Sequence, residues 1–122
     1  MKKIITLLLT VVLLATCLVG CGAKGKTLAE VKEAGKLVIG ITDYAPMNYL
    51  DDAGELTGFD TEFAEAVCAK LGVTPEFVEI NWDTKFVTLD ANQIDCIWNG
   101  MTISDEVKAN CAVSKAYVKN AQ

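Results

Sequence analysis

The sequence contains no histidine, and all eleven of its basic residues are lysine rather than arginine. Imidazole acid–base catalysis, histidine-held metals and guanidinium clamps are therefore excluded within these 122 residues. Positive charge of any kind is scarce, since 16 acidic residues leave a net charge of −5. That balance argues against nucleic acid or an anionic lipid surface as the main partner. No internal repeat or low-complexity stretch follows residue 26. No cysteine spacing suggests zinc, so neither a metal nor a cofactor is implied.

What is present begins with Lys2 and Lys3, runs through an apolar stretch from Ile4 to Ala15 relieved only by threonines, and ends in Leu18-Val19-Gly20-Cys21. That order is the one of an export signal: lysines stay on the cytoplasmic side while a short apolar helix engages the translocation machinery. A permanent span needs about 20 apolar residues, whereas this run is broken by Thr16 and followed by Gly20, Gly22 and Lys24. Leu-x-Gly-Cys at this place resembles the lipobox of bacterial lipoproteins, which implies a diacylglyceryl group on Cys21 and cleavage before it. Residues 1–20 are thus expected to be a lipoprotein signal peptide, 21–26 a flexible tether and 27–122 the folded part. The expected location is the extracellular face of the cell membrane, or the periplasm. Cleavage removes Lys2 and Lys3 and no acid, taking the net charge from −5 to −7. Cys68 falls on the apolar side of a helical pattern and Cys96 in a strand-like run, so both are expected to be buried free thiols. With Cys111 they make an odd number, and a bridge between two of the three stays open.

Thr27-Leu28-Ala29-Glu30 is a capping box and predicts a helix from Leu28 to Ala34, stopped by Gly35. Leu37 to Thr42 is a continuous, β-branched apolar run, the pattern of a central strand covered on both faces. Met47–Leu50 and Glu55–Thr57 flank Asp51-Asp52-Ala53-Gly54 as a hairpin. Gly58-Phe59-Asp60 opens a helix with Asp60 as its expected N-cap; Phe63, Ala64, Val67, Cys68 and Leu71 form its buried face, and Gly72 ends it. Pro75–Ile80 reads as a second strand. Asp83 is expected to cap a helix with Phe86, Val87 and Leu89 on its apolar side, Asp95–Trp98 to be a short buried strand, and Ser104 to open a helix reaching Asn110. Strands alternating with helices predict a three-layer α/β domain with a mostly parallel sheet.

In such sheets ligands sit beyond the carboxyl ends of the central strands. Two loops qualify, Asp43-Tyr44-Ala45-Pro46 and Asn99-Gly100-Met101-Thr102-Ile103-Ser104. In the second, glycine permits close backbone approach and Thr102 and Ser104 offer hydroxyls, a setting suited to a carboxylate. Ser104 reads equally well as an ordinary helix cap. Tyr44 is either an aromatic wall or plain packing, and Asp43 either an ammonium partner or a turn cap. Trp82 and Trp98 read as core or rim.

Gly35–Gly40, Asp43–Pro46, Gly54–Asp60, Leu71-Gly72, Asp95–Trp98 and Gly100–Ile103 together resemble the polar amino-acid family of ABC-transporter solute-binding proteins. The resemblance spans residues 35–118. It implies the incomplete first lobe of a two-lobed periplasmic-binding-protein type II fold that closes on an amino acid or similar small zwitterion and delivers it to an ABC permease in the membrane. Carried over, Tyr44 lines the ligand, Asp43 lies near its ammonium, and Asn99, Gly100, Met101 and Thr102 meet its carboxylate.

Two departures stand out. Where most members continue Thr-x-Glu-Arg, this chain has Ser104-Asp105-Glu106-Val107, so the carboxylate-gripping arginine is replaced by Val107; Lys108 is expected to face solvent. The sequence also stops at Gln122, where the first crossing strand would start, so the second lobe and the returning part of the first are expected to be missing, leaving an exposed apolar patch and an unstable or aggregating fragment. No catalytic residue stands out. The competing readings are an enzyme resembling cyclohexadienyl dehydratases and a sensory ligand-binding domain on the same scaffold.

Overall fold

A computed structural model describes residues 25–119. The expected signal peptide, the expected lipidation site Cys21 and most of the expected tether lie outside the described residues. Helix α1 (Leu28–Ala34) leads into β1 (Lys36–Ile41). A hairpin of β2 (Tyr49–Leu50) and β3 (Leu56–Thr57) precedes α2 (Phe59–Leu71) and β4 (Thr74–Glu79). A 3-10 turn (Trp82–Thr84), α3 (Lys85–Asp90), β5 (Cys96–Ile97) and α4 (Asp105–Asn110) complete the order. No helix among the described residues is long and apolar enough to cross a membrane.

The three-stranded sheet has the order β4-β1-β5, parallel throughout, with Ile39 opposite Phe77 on one side and Cys96 on the other. The unbroken apolar run thus becomes the middle strand, and Val38 to Ile41 are all buried. Ile39 and Ile41 point to one face, where Val31 of α1 and Ala64 and Cys68 of α2 complete the core. On the opposite face a side chain on Gly40 would meet Ile80 and Ile94, which stand at the two ends of the segment containing α3. Helical segments therefore cover both faces, giving the three-layer α/β arrangement.

The capping box forms as read: the Glu30 amide donates to the Thr27 hydroxyl, and the Thr27 amide to the Glu30 carboxylate at 2.7 Å. Other local expectations are corrected. The N-cap of α2 is Gly58, and Asp60 lies in the first turn, fully buried. The reason is that the helix-start amides of Phe59 and Asp60 donate to the carbonyls of Pro46 and Met47, at 3.0 and 2.9 Å, and need no capping carboxylate. The buried face of α2 is Asp60, Thr61, Ala64 and Cys68. Phe63 stays exposed because it leans against Trp98 and Tyr117 at the domain surface instead of the core. Asp83 does not cap α3, whose N-cap is Thr84 without a side-chain bond, because Asp83 lies inside the preceding 3-10 turn, where Asn81 is the cap and accepts from the Asp83 amide. Val87 is 69% exposed and turns away from the apolar side expected of α3. Cys96–Ile97 is only half-buried, since β5 is an edge strand among the described residues. Cys68, Cys96 and Cys111 are free thiols. Burial, and then the neighbouring Asp95 and Cys68, push the Cys96 thiol up to about 12.

Candidate functional site

A buried amide network ties the sheet to the loops beyond it. Asn99, two residues past the end of β5, accepts the Thr42 amide at 3.1 Å and donates to the Thr42 hydroxyl at 2.6 Å. Asn48 donates to the Asn99 side chain at 2.7 Å and to the Trp98 carbonyl at 3.1 Å, and accepts from the Thr61 hydroxyl at 2.9 Å. Each polar atom of the Asn48 side chain is matched, as burial requires. The exits of β1 and β5, the hairpin and α2 are thereby locked in register. Asn99 thus has its side chain engaged in this floor.

Above it the two loops meet. Gly100 has a φ of 62°, and a Cβ there would come 3.1 Å from Met47 Cγ and 3.4 Å from Tyr44 Cε1. Glycine is what lets the backbone press against the Tyr44 ring. A cleft of about 440 Å³ opens between the loops, walled among others by Thr42, Asp43, Tyr44, Lys85, Thr102 and Glu106. The structure therefore gathers all six sequence-predicted positions, Asp43, Tyr44, Asn99, Gly100, Met101 and Thr102, around one cleft. Ser104 is held back from it as the cap of α4, accepting the Val107 amide at 3.2 Å. A larger hollow of about 860 Å³, lined by Phe63, Ile94, Trp98 and Val113, runs along the edge of β5. Its lining is mostly apolar and includes Asn99 and Met101 but nothing from the Asp43–Pro46 turn, so the smaller cleft, walled by both turns, is the better candidate for recognition.

Charge on the cleft wall is mixed. Asp43 and Glu106 share the lining with one cation, Lys85, whose ammonium donates to the Trp82 carbonyl at 3.1 Å and lies 4.8 Å from the ring centroids of both Trp82 and Phe86. Lys85 is not among the sequence-predicted positions, although its place between Trp82 and Phe86 is a readable signal. Val107 is buried at the boundary of cleft and hollow. Lys108 is exposed, as expected, and pairs with Asp105 at 3.4 Å.

A second constellation escaped the sequence reading. Asp60 Oδ1 accepts the Tyr117 hydroxyl at 2.8 Å, while its other oxygen is buried without a partner among the described residues. Burial, and next the Asp60 carboxylate, push the Tyr117 hydroxyl well above the usual phenol range. The Tyr117 ring stacks beside Phe59 at 6.3 Å and meets Phe63 edge-on at 5.3 Å. Among the described residues no cluster of three metal-ligating side chains occurs.

The sequence model of bacterial extracellular solute-binding proteins, family 3, matches residues 37–122. The chain belongs to that family. This family 3 solute-binding chain is 40% identical over 91 residues to the L-cystine-binding protein TcyJ of Escherichia coli (strain K12), covering 74% of itself and 34% of that protein. It thus spans about a third of that relative's length. An arginine-bound crystal structure of domain 1 from TmArgBP, of T. maritima, is 34% identical with a TM-score of 0.72, over 75% of this chain and 72% of that one. An ancestral cyclohexadienyl dehydratase is 39% identical with a TM-score of 0.63, over 69% of this chain and 35% of that one. The described unit of this solute-binding protein is accordingly part of one lobe of the type II periplasmic-binding-protein fold.

Proposed function

We propose that the protein binds an amino acid or a similar small zwitterion outside the cytoplasm and passes it to an ABC permease. The observation that carries this reading is the polar cleft where the Tyr44 and Met101 turns meet, with carboxylates and an ammonium on one wall. Its volume suits a small molecule. Asp43 and Glu106 are placed for an ammonium, and the free Thr102 hydroxyl for a carboxylate. Relatives named for cystine, arginine and histidine support the ligand class. Tyr44, Asp43 and the Asn99–Thr102 turn are the contacts we assign.

Binding without chemistry is the favoured form of this reading. Relatives named as binding proteins support that form, and Asp60, bonded to Tyr117, and Asp95, bonded to Lys26 and the Val38 amide, do not line the cleft. Turnover of prephenate or arogenate by the complete protein would move the assignment to the dehydratase branch of the fold. We further infer a lipid anchor on Cys21 from the lipobox pattern; an intact mass of the native protein with an unmodified Cys21 would remove it.

The test is calorimetric titration of the complete protein with the twenty proteinogenic L-amino acids and L-cystine. Saturable binding of at least one at micromolar concentration is the expected result. Failure of all of them to bind below millimolar concentration would overturn the proposal.

A further inference from the structure

We propose that Lys85 is the residue that grips the carboxylate of the bound amino acid. This rests on reading the cleft as an amino-acid site. Because the chain has no arginine or histidine, a cation on the cleft wall has to be a lysine, and Lys85 is the lysine there. Elsewhere, Lys26, Lys36 and Lys108 direct their charge at Asp95, Glu76 and Asp105. No carboxylate among the described residues lies within ion-pair distance of Lys85.

The ammonium is nonetheless held in place. The Trp82 carbonyl takes one of its three N–H donors at 3.1 Å, and the rings of Trp82 and Phe86 each lie 4.8 Å away. Aromatic faces attract a cation without neutralising it, so two donors and a full charge remain. A carboxylate entering between the Tyr44 and Thr102 walls would supply the missing counter-ion. Val107, on the same wall, is apolar and buried and offers no competing donor. The 3-10 turn capped by Asn81 fixes where α3 begins, and so fixes Lys85 at its first position.

The experiment compares the complete wild-type protein with Lys85→Met, which keeps an apolar stem over the rings, and Lys85→Arg. The ligands are the amino-acid panel above and the carboxamide of whichever member binds. A hydrogen bond to a charged group supports an expected loss of roughly tenfold to a hundredfold in affinity for Lys85→Met, with Lys85→Arg within about fivefold of wild type on the same scale. Replacing carboxylate by carboxamide should weaken wild-type binding but leave Lys85→Met almost unaffected, the coupling a direct contact requires. Lys85→Met binding as tightly as wild type, with an unchanged melting temperature, overturns the role of Lys85 and leaves the cleft reading standing. A wild-type protein that binds no panel member overturns both. A readout without any variant is acetylation of wild type followed by mass spectrometry. Saturating amino acid should slow modification of Lys85 at least about tenfold and leave Lys36 unchanged, and equal modification of Lys85 with and without ligand overturns the assignment.

Discussion

Replacing Gly58 by alanine should damage this protein far more than a glycine substitution at a loop tip. Gly58 has a φ of 120°, and a Cβ there would run into the Met47 carbonyl oxygen and lie 2.7 Å from the Met47 carbonyl carbon and 2.9 Å from the Pro46 oxygen. All three are backbone atoms, so no side chain can rotate away to make room. The same two carbonyls receive the Phe59 and Asp60 amides that open α2. The left-handed backbone costs about 1–3 kcal/mol for a residue with a side chain, and each displaced hydrogen bond about 0.5–1.5 kcal/mol. Together these give a loss of about 2–6 kcal/mol, a large part of the 5–15 kcal/mol that holds a typical domain. Gly54→Ala is the control, because its φ is 83° but nothing lies within 4 Å of the added carbon, which leaves a cost of about 1–2 kcal/mol. Urea unfolding of the complete protein, followed by tryptophan fluorescence, measures both. Amino-acid affinity should fall as well for Gly58→Ala, since Tyr44 rides on the displaced loop. Identical unfolding midpoints for the two variants would refute the reasoning.

Val107→Arg should tighten amino-acid binding by about tenfold, the yield of one charge-assisted bond, while overpacking costs about 1–3 kcal/mol of stability; an unchanged affinity profile across the panel would show that position 107 does not reach the ligand. Tyr117→Phe strands the buried Asp60 carboxylate and should cost about 1–3 kcal/mol at neutral pH. Because the folded Tyr117 hydroxyl is shifted upward, its contribution is complete below the ordinary phenol value near pH 10 and is lost as pH rises beyond it. Wild type should therefore lose stability above about pH 10 more steeply than Tyr117→Phe, and parallel pH profiles by chemical denaturation would contradict that. Cys96, half-buried and with its thiol pushed up to about 12, should react with maleimide at pH 8 much more slowly in the folded than in the unfolded protein, and equal labelling rates would contradict that upward shift.

The periodic and local features of the fold were readable in advance. Thr27 and Glu30 cap a helix by bonds three residues apart, and the apolar run from Leu37 announces a strand with cover on both faces; neither needs knowledge of distant contacts. The errors came where a tertiary partner overrode a local rule. Asp60 reads as a cap because aspartate usually satisfies helix-start amides, but here carbonyls from the Pro46–Met47 loop do so, and the carboxylate turns to Tyr117, 57 positions away. Val87 and Phe63 fit an apolar helix face by spacing, yet which side of a short helix meets the sheet depends on packing that periodicity does not report. At the cleft, the two turns could be located from the strand ends, while the individual contacts within them were implied by the family resemblance. The Asn48 amide bonds and the stance of Lys85 over two rings depend on side-chain directions from three separate segments, and those only the assembled structure displays.

The contact of Lys26 with Asp95 fixes where the polypeptide enters the domain. Lys26 Nζ meets Asp95 Oδ1 at 2.9 Å, and the other Asp95 oxygen accepts the Val38 amide at 2.8 Å, so the entry is moored to the starting ends of β1 and β5. The cleft opens past their finishing ends, about 13 Å away for the four residues from Val38 to Thr42. A support joined at Lys26 would therefore sit at the opposite end of these strands from the opening. The same polarity makes the amino terminus the sensible point for attaching a sensor chip or a fluorophore, since neither would shade the opening.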